Sequence, residues 1–286
     1  MDYPVYTIEE SLFPRALSEI PDPPTSLTAR GTLPPAEHKK LVVVGARHYS
    51  TYGKQAVEHL LSGLRGYPIT IISGLAIGID GLAHRAALDN NLATIAIPGS
   101  GLNDTVLYPR RHKSLAYEIL RAGGALISEY DPDFHATGWS FVRRNRIMAG
   151  MADAVLIIEA EKKSGTLVTS RLATDYNRDV LAVPGSIFSR TSEGPHLLLS
   201  LGATPITTSE DILNALHLDT NAVSPQQTSA DLSPAEQRVL ALLSEPRTRD
   251  TLIAMLNIQT AEANALIMLM ELRGYITSQN NVYIRK

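Results

Sequence analysis

The sequence predicts an α/β protein: a mostly parallel sheet with helices on both faces, followed by a small domain of three helices and a hairpin. Three observations carry the prediction. Short apolar runs rich in β-branched residues recur between residues 41 and 185, and most of the stretches between them have helical periodicity. After a polar break near residue 220 the pattern turns helical and ends in two short strand-like runs. With 286 residues, 44% of them apolar and 19% charged, the chain has room for one large and one small domain.

Residues 1–38 contain Pro4, Pro14, Pro21, Pro23, Pro24, Pro34 and Pro35. That density forbids a long helix, so the segment reads as an extended lead-in with one short helix around Glu9 to Ser18. The strands follow: LVVVG at 41–45, ITIISG at 69–74, ATIAIPG at 93–99, ALISEY at 125–130, AVLIIEA at 154–160 and VLAVPG at 180–185. Helices fall between them at TYGKQAVEHLLSGL, DGLAHRAALDN, HKSLAYEILRAG and SGTLVTSRLATDYN. This alternation gives βαβ units over residues 39–218. The apolar runs are continuous, as expected of strands covered on both faces.

Residues 219–232 are rich in Ser, Thr, Gln and Asn and read as a linker. Residues 233–286 open with Ser233 as an N-cap, Pro234 in the first turn and Glu236 completing a capping box. Three helices and a hairpin are the order of a winged-helix domain. Such domains commonly read DNA, but the charge argues otherwise. In residues 221–286 Arg238, Arg247, Arg249, Arg273, Arg285 and Lys286 are balanced by Asp231, Glu236, Glu245, Asp250, Glu262 and Glu271. A protein-contact or accessory role is expected.

Composition excludes several functions. The absence of cysteine removes disulfides, thiolate metal sites and cysteine nucleophiles. The eight histidines are scattered, and no H-E-x-x-H or acidic cluster has metal-ligand spacing, so no metal is expected. The N-terminus has no signal-peptide pattern and no apolar stretch is long enough for a membrane span; a cytoplasmic protein is expected. No cofactor is expected either. Gly74, Gly78 and Gly81 lack the dinucleotide G-x-G-x-x-G spacing, and neither a P-loop nor G-x-S-x-G occurs. Asp80 and His84, four apart, read as a helix-dipole acid beside a partly buried histidine, because no nucleophile accompanies them.

The binding candidates lie at one edge. The predicted strands end in Gly45, Ser73-Gly74, Pro98-Gly99, Ser128-Glu129 and Pro184-Gly185-Ser186. Carboxyl ends of parallel strands share the edge where α/β proteins bind ligands, and small residues there permit close approach. Two basic clusters interleaved with rings, YPRRHK at 108–113 and WSFVRRNR at 139–146, map to the same edge. So do Arg47, Lys162, Lys163 and the Ser164-Gly165-Thr166 turn that opens a helix. Arginine for phosphate, a ring for stacking and a helix N-terminus for an anion together suit a polyanion, although the net charge of −3 advertises none. Ser73, Gly74, Phe141 and Gly185 join the candidates on this ground.

The ordered segments GAR at 45–47, SGLAIGIDGLAH at 73–84, IPGSGLNDTVLYPRRH at 97–112, SEY at 128–130, FVRRNRIMAG at 141–150, EAEKKSGTLVTSRLA at 159–173 and VPGSI at 183–187 resemble the DNA-processing protein A (DprA/Smf) family. The resemblance spans roughly residues 10–216 and, more loosely, the winged helix. It implies an extended Rossmann-like domain that binds single-stranded DNA, forms homodimers and helps load the RecA recombinase in natural transformation, without a nucleotide cofactor or catalysis. It places DNA contacts at Arg47, Arg110, Arg144, Asn145 and Ser164 to Thr166, with Lys163 beside them. The sequence departs from the family at His112, commonly asparagine, and at Val142, commonly proline. A longer N-terminal helical domain, often present in the family, is represented here only by the lead-in.

The rival readings are a nucleoside monophosphate hydrolase-like enzyme and a small-nucleotide sensor on the same fold. Hydrolases of this kind use the glutamate of PGG-x-GT-x-x-E. Here Thr169 stands where that glutamate would fall, and a hydroxyl does not replace a carboxylate base.

Overall fold

The computed structural model describes residues 3–219, 233–243, 245–272, 275–279 and 282–285, in two compact units divided after residue 222. The first unit is built on β1 (Val5–Ile8), β2 (Leu27–Gly31), β3 (Lys39–Val44), β4 (Ile69–Ser73), β5 (Ala93–Ala96), β6 (Ala125–Ser128), β7 (Ala154–Ile157), β8 (Asp179–Ala182) and β9 (Thr204–Pro205). Its helices are α1 (Arg15–Ser18), α2 (Thr51–Ser62), α3 (Ile79–Asp89), α4 (Lys113–Arg121), α5 (Gly138–Met151), α6 (Thr166–Asp175), α7 (Glu193–Ser200) and α8 (Ser209–Ala215).

The nine strands form one sheet in the order β1-β2-β6-β5-β4-β3-β7-β8-β9. From β6 to β9 every pairing is parallel, with Val42 opposite both Ile72 and Val155. Alternation within β3 supplies both layers. Leu41 and Val43 pack with α2, α3 and α8, whereas Val42 and Val44 pack with α1, α5 and α6. Both faces exclude water, which is why the run reads as uniformly apolar. The order reverses at β3, whose neighbours β4 and β7 come from successive and distant parts of the chain. That reversal is the topological switch point.

The lead-in is corrected by the structure. It is not a separate segment: β1 and β2 pair with each other and β2 pairs antiparallel with β6, so residues 5–31 extend the main sheet. Its expected short helix around Glu9 to Ser18 is present in two pieces, a 3-10 turn at Glu10–Leu12 and α1, parted where Pro14 occupies the α1 N-cap. Leu17, Ile20, Leu27 and Ala29 are buried in the core beneath it. The expected linker falls almost entirely on 220–232, outside the described residues.

The second unit comprises α9 (Pro234–Leu242), β10 (Arg247–Thr248), α10 (Arg249–Leu256), α11 (Thr260–Leu272), β11 (Ile276–Gln279) and β12 (Val282–Arg285). Ser233 accepts from the Glu236 N–H and Glu236 answers the Ser233 N–H, the capping box expected there. Val239, Leu252, Leu256, Ile267 and Met270 form its core. Among the described residues no single helix is long and apolar enough to cross a membrane.

Candidate nucleic-acid interface

At the switch point the loops after β3 and β7 part around a cleft of 560 Å³. The β3 loop contributes Gly45, Ala46, Arg47 and His48. From beyond β7 come Glu161, Lys163, Ser164, Gly165 and Thr166. Phe141, Val142, Arg144 and Asn145 of α5 form a third side, and Asp80 of α3 reaches in beneath them. The cleft therefore gathers Arg47, Phe141, Arg144, Asn145, Lys163, Ser164, Gly165 and Thr166 of the residues singled out from sequence.

The arginines differ in what they can offer. Arg47 is exposed, and its guanidinium carbon lies 5.8 Å from the centre of the Phe141 ring. That ring in turn lies 5.4 Å from Tyr108, which is 48% exposed. Arg47 and Lys163 form no salt bridge among the described residues, so both charges are open to a ligand. Glu161 is engaged by Arg190 at 3.5 Å.

Arg144 is buried. It donates to the Gly74 carbonyl at 2.7 Å and to the Ile97 carbonyl, while its Nε meets the Asn145 amide oxygen at 3.3 Å. Burial pulls its pKa down to about 10, with Arg47 adding to the shift and Asp80 opposing it, so it stays charged near neutrality. Burial pushes the Asp80 carboxyl up, against Arg144, the N–H groups of Ala76 and Gly74, and Arg47. The pair forms the charged floor of the cleft. Its geometry makes it mutually dependent, since either ion alone would be buried without compensation.

The small residues at the strand ends serve the protein itself. A Cβ on Gly74 would lie 2.5 Å from the Arg144 guanidinium and 2.6 Å from the Asp80 carboxylate. Gly99 is filled by the Phe141 ring and Gly45 by Ile79. Ser73 is fully buried and its hydroxyl donates to the Val43 carbonyl at 2.7 Å. Ser73 therefore faces no ligand, and Gly74 leaves only a notch of 40 Å³ beside Tyr108 and Phe141, too small for a base. Gly185 lies apart, in a second cleft with Ser50, Tyr52 and Glu159. Arg110 is exposed but lines neither cleft. At three of these ends, Gly45, Gly74 and Gly99, packing within the protein already accounts for the missing side chain.

The WSFVRRNR cluster lies inside α5, capped by Thr137, whose side chain accepts from Ser140. Helical periodicity therefore splits its arginines. Arg143 points out toward Glu129 at 3.5 Å, Arg144 turns to the cleft floor, and Arg146 is buried against Glu129 and Asp22. Asp80 was legible as a helix-dipole acid but not as the counter-ion of Arg144, because that pairing joins elements far apart in the chain.

The Ser164–Thr166 turn closes the cleft at the start of α6. Thr166 donates to the Gly45 carbonyl at 3.1 Å and Ser164 Oγ accepts the Thr166 N–H at 3.2 Å. The turn thus ties the β7 side to the β3 loop while the positive end of α6 faces the opening, a favourable place for an anion. Thr169, at the position where a hydrolase would hold its glutamate, is buried behind this turn.

Fold and site together define a Rossmann-like α/β protein with a switch-point cleft of open cations and an aromatic wall, joined to a winged helix. The chain belongs to the DNA recombination-mediator protein A family, whose model matches residues 4–217; the DprA winged helix domain matches residues 223–280. It is 37% identical over 285 residues to Protein Smf of Escherichia coli (strain K12), covering 97% of this chain and 76% of that protein. Among solved structures it is similar to DNA processing protein A from Streptococcus pneumoniae, with 39% identity and a TM-score of 0.68 over 74% of each chain. It is similar also to DNA processing protein A from Helicobacter pylori, described for its single-stranded DNA binding mode. There the identity is 30% and the TM-score 0.65, over 74% of this chain and 95% of that one.

Proposed function

We propose that this protein binds single-stranded DNA at the switch-point cleft and acts, without catalysis, as a recombination mediator. In that role it protects incoming strands and helps load a RecA recombinase during natural transformation, in the cytoplasm and as a homodimer. The observation that carries the reading is the pairing of two open cations, Arg47 and Lys163, with the partly buried Phe141 ring across one cleft. Phosphate neutralisation and base stacking are the two interactions that hold a single strand without reading its sequence. The family membership and the Helicobacter pylori relative support the same ligand.

The test is fluorescence anisotropy of a labelled oligothymidylate against a matched duplex across a salt series. The expected result is preference for the single strand, with a log–log salt slope of about −0.7 per phosphate contacted. Arg47→Ala should weaken binding and flatten that slope by roughly one contact while leaving circular dichroism unchanged. Equal binding to single strand and duplex, or an Arg47→Ala affinity matching wild type, would refute the cleft. A mononucleotide that outcompetes the oligonucleotide, or release of free base from it, would favour the sensor or the hydrolase.

A further inference from the structure

A second cavity, of 430 Å³, lies at the other end of the strands. Leu27, Ile95 and Ile127 of the sheet form its floor, and Phe13 and Leu33 of the lead-in cover it. Its size falls in the range of about 300–1,000 Å³ typical of small-molecule sites, as does its mostly apolar lining with a few polar groups.

Lys40, Asp153 and Arg178 stand at the amino ends of β3, β7 and β8, and Ser11 and Arg15 of the lead-in join them. Asp153 is already committed: its carboxylate accepts the Lys40 backbone N–H at 2.7 Å and faces the Lys39 ammonium at 3.7 Å. Lys40 donates from its ammonium to the Ala36 and His38 carbonyls at 2.8 and 2.9 Å, which leaves one of its three donors. Arg178 donates from Nη2 to the Ala16 carbonyl at 2.9 Å. Its Nε is shielded from solvent and has no hydrogen-bond partner among the described residues. Arg178 and Lys40 both line the cavity, which sets two cations beside one apolar space and suits an anionic group on an otherwise apolar ligand.

We propose that this cavity binds a small molecule with an apolar body and a single anionic group, the anion held by Arg178 and Lys40. The site is independent of the cleft, which opens at the opposite ends of the same strands, and goes beyond the DNA-binding reading.

Fluorescence titration of the full chain with two probes of one shape tests it: 8-anilinonaphthalene-1-sulfonate and its uncharged counterpart N-phenyl-1-naphthylamine. The expected result is saturable binding of the sulfonate at one site, weakened about tenfold or more in Arg178→Gln, as expected for loss of a charge-assisted hydrogen bond. The neutral probe should be nearly unaffected by that change, which also shows that the cavity is intact. Arg178→Lys, which keeps the cation, should recover most of the sulfonate affinity. Ala36→Trp, a bulky change at the exposed rim, should weaken both probes while oligothymidylate binding stays at the wild-type level. No sulfonate binding, equal sulfonate binding in wild type and Arg178→Gln, or probe binding that survives Ala36→Trp would overturn the proposal. So would a loss of both probes in Arg178→Lys.

Discussion

Arg144 and Arg47 come from the same reading of the sequence as basic residues at a strand edge, yet physics assigns them different work. Arg47 keeps its charge in solvent over a ring, whereas Arg144 spends its donors on backbone carbonyls and its charge on Asp80. A cluster of like charges shows in sequence; which member turns inward depends on contacts with distant elements. His84, beside this floor, carries a separate prediction. It is fully buried, hydrogen-bonded to Thr94 at 2.8 Å, and burial, with His112 and Arg144 nearby, lowers its pKa from 6.5 to about 3. Below pH 6.5 the unfolded chain therefore takes up a proton that the folded chain refuses until about pH 3. Stability must fall with falling pH across that window, by up to ~1.4 kcal/mol per pH unit. Asp80, raised by burial, acts with the opposite sign, and Asp104, lowered to about 2, adds a loss as pH falls through the carboxylate range. Urea unfolding between pH 7 and pH 5, in wild type and in His84→Gln, reads the His84 contribution by difference. A steady loss in wild type that disappears in His84→Gln is expected, and a flat wild-type profile would contradict the assignment.

Among elements, the parallel strands and the helices α2, α3, α4 and α6 were legible because each is a local apolar run or an amphipathic repeat. The missed elements share a cause. α5 is buried along most of its length from Arg144 to Met151, so it has no polar face to create a period. β2 is short, and its partner β6 lies about a hundred residues away, so nothing local marks the pairing. The lead-in is nevertheless structural. Arg30 ties it down by donating to Asp104 at 2.5 Å and Tyr117 at 3.1 Å. Burying Leu17, Ile20 and Leu27 at roughly 1.5–3 kcal/mol each is comparable to the whole stability of many domains. Deleting residues 1–31 would also bare β6 as an open edge. The expected outcome is a chain that aggregates or melts far below wild type. A soluble, cooperatively melting deletion variant would show that β2 is dispensable.

For the whole molecule, two surfaces remain to be matched with partners. In the winged helix two of the basic side chains are tied up locally: Arg247 donates to the Leu242 carbonyl at 2.7 Å and Arg249 to Asn264 at 3.0 Å. The exposed side of α11 presents Ala261, Ala265, Met268 and Leu269. Removing residues 221–286 should therefore leave oligothymidylate affinity within about threefold of wild type, since the electrostatic contribution lost is small. A tenfold loss would make this domain a DNA contact. The second surface lies around α7, where Ile187 is 80%, Phe188 92% and Leu201 74% exposed. Exposed apolar side chains of this kind are where the proposed homodimer would find an interface, with a second copy of the chain as the occupant. Light scattering should show a dimer in wild type and a monomer in Leu201→Asp; a dimer that persists would move the interface elsewhere.

The β3 loop has one more consequence. Gly78, at φ +102°, lets the start of α3 press against it, the Ile79 N–H bonds the Ala46 carbonyl at 3.1 Å, and Thr166 holds the Gly45 carbonyl from the other side. A loop pinned on both flanks does not reshape itself around what arrives. Induced fit then falls to the guest, which must thread its own torsions into a fixed mould. A polymer with free backbone rotations can do that, and a stiff double helix cannot.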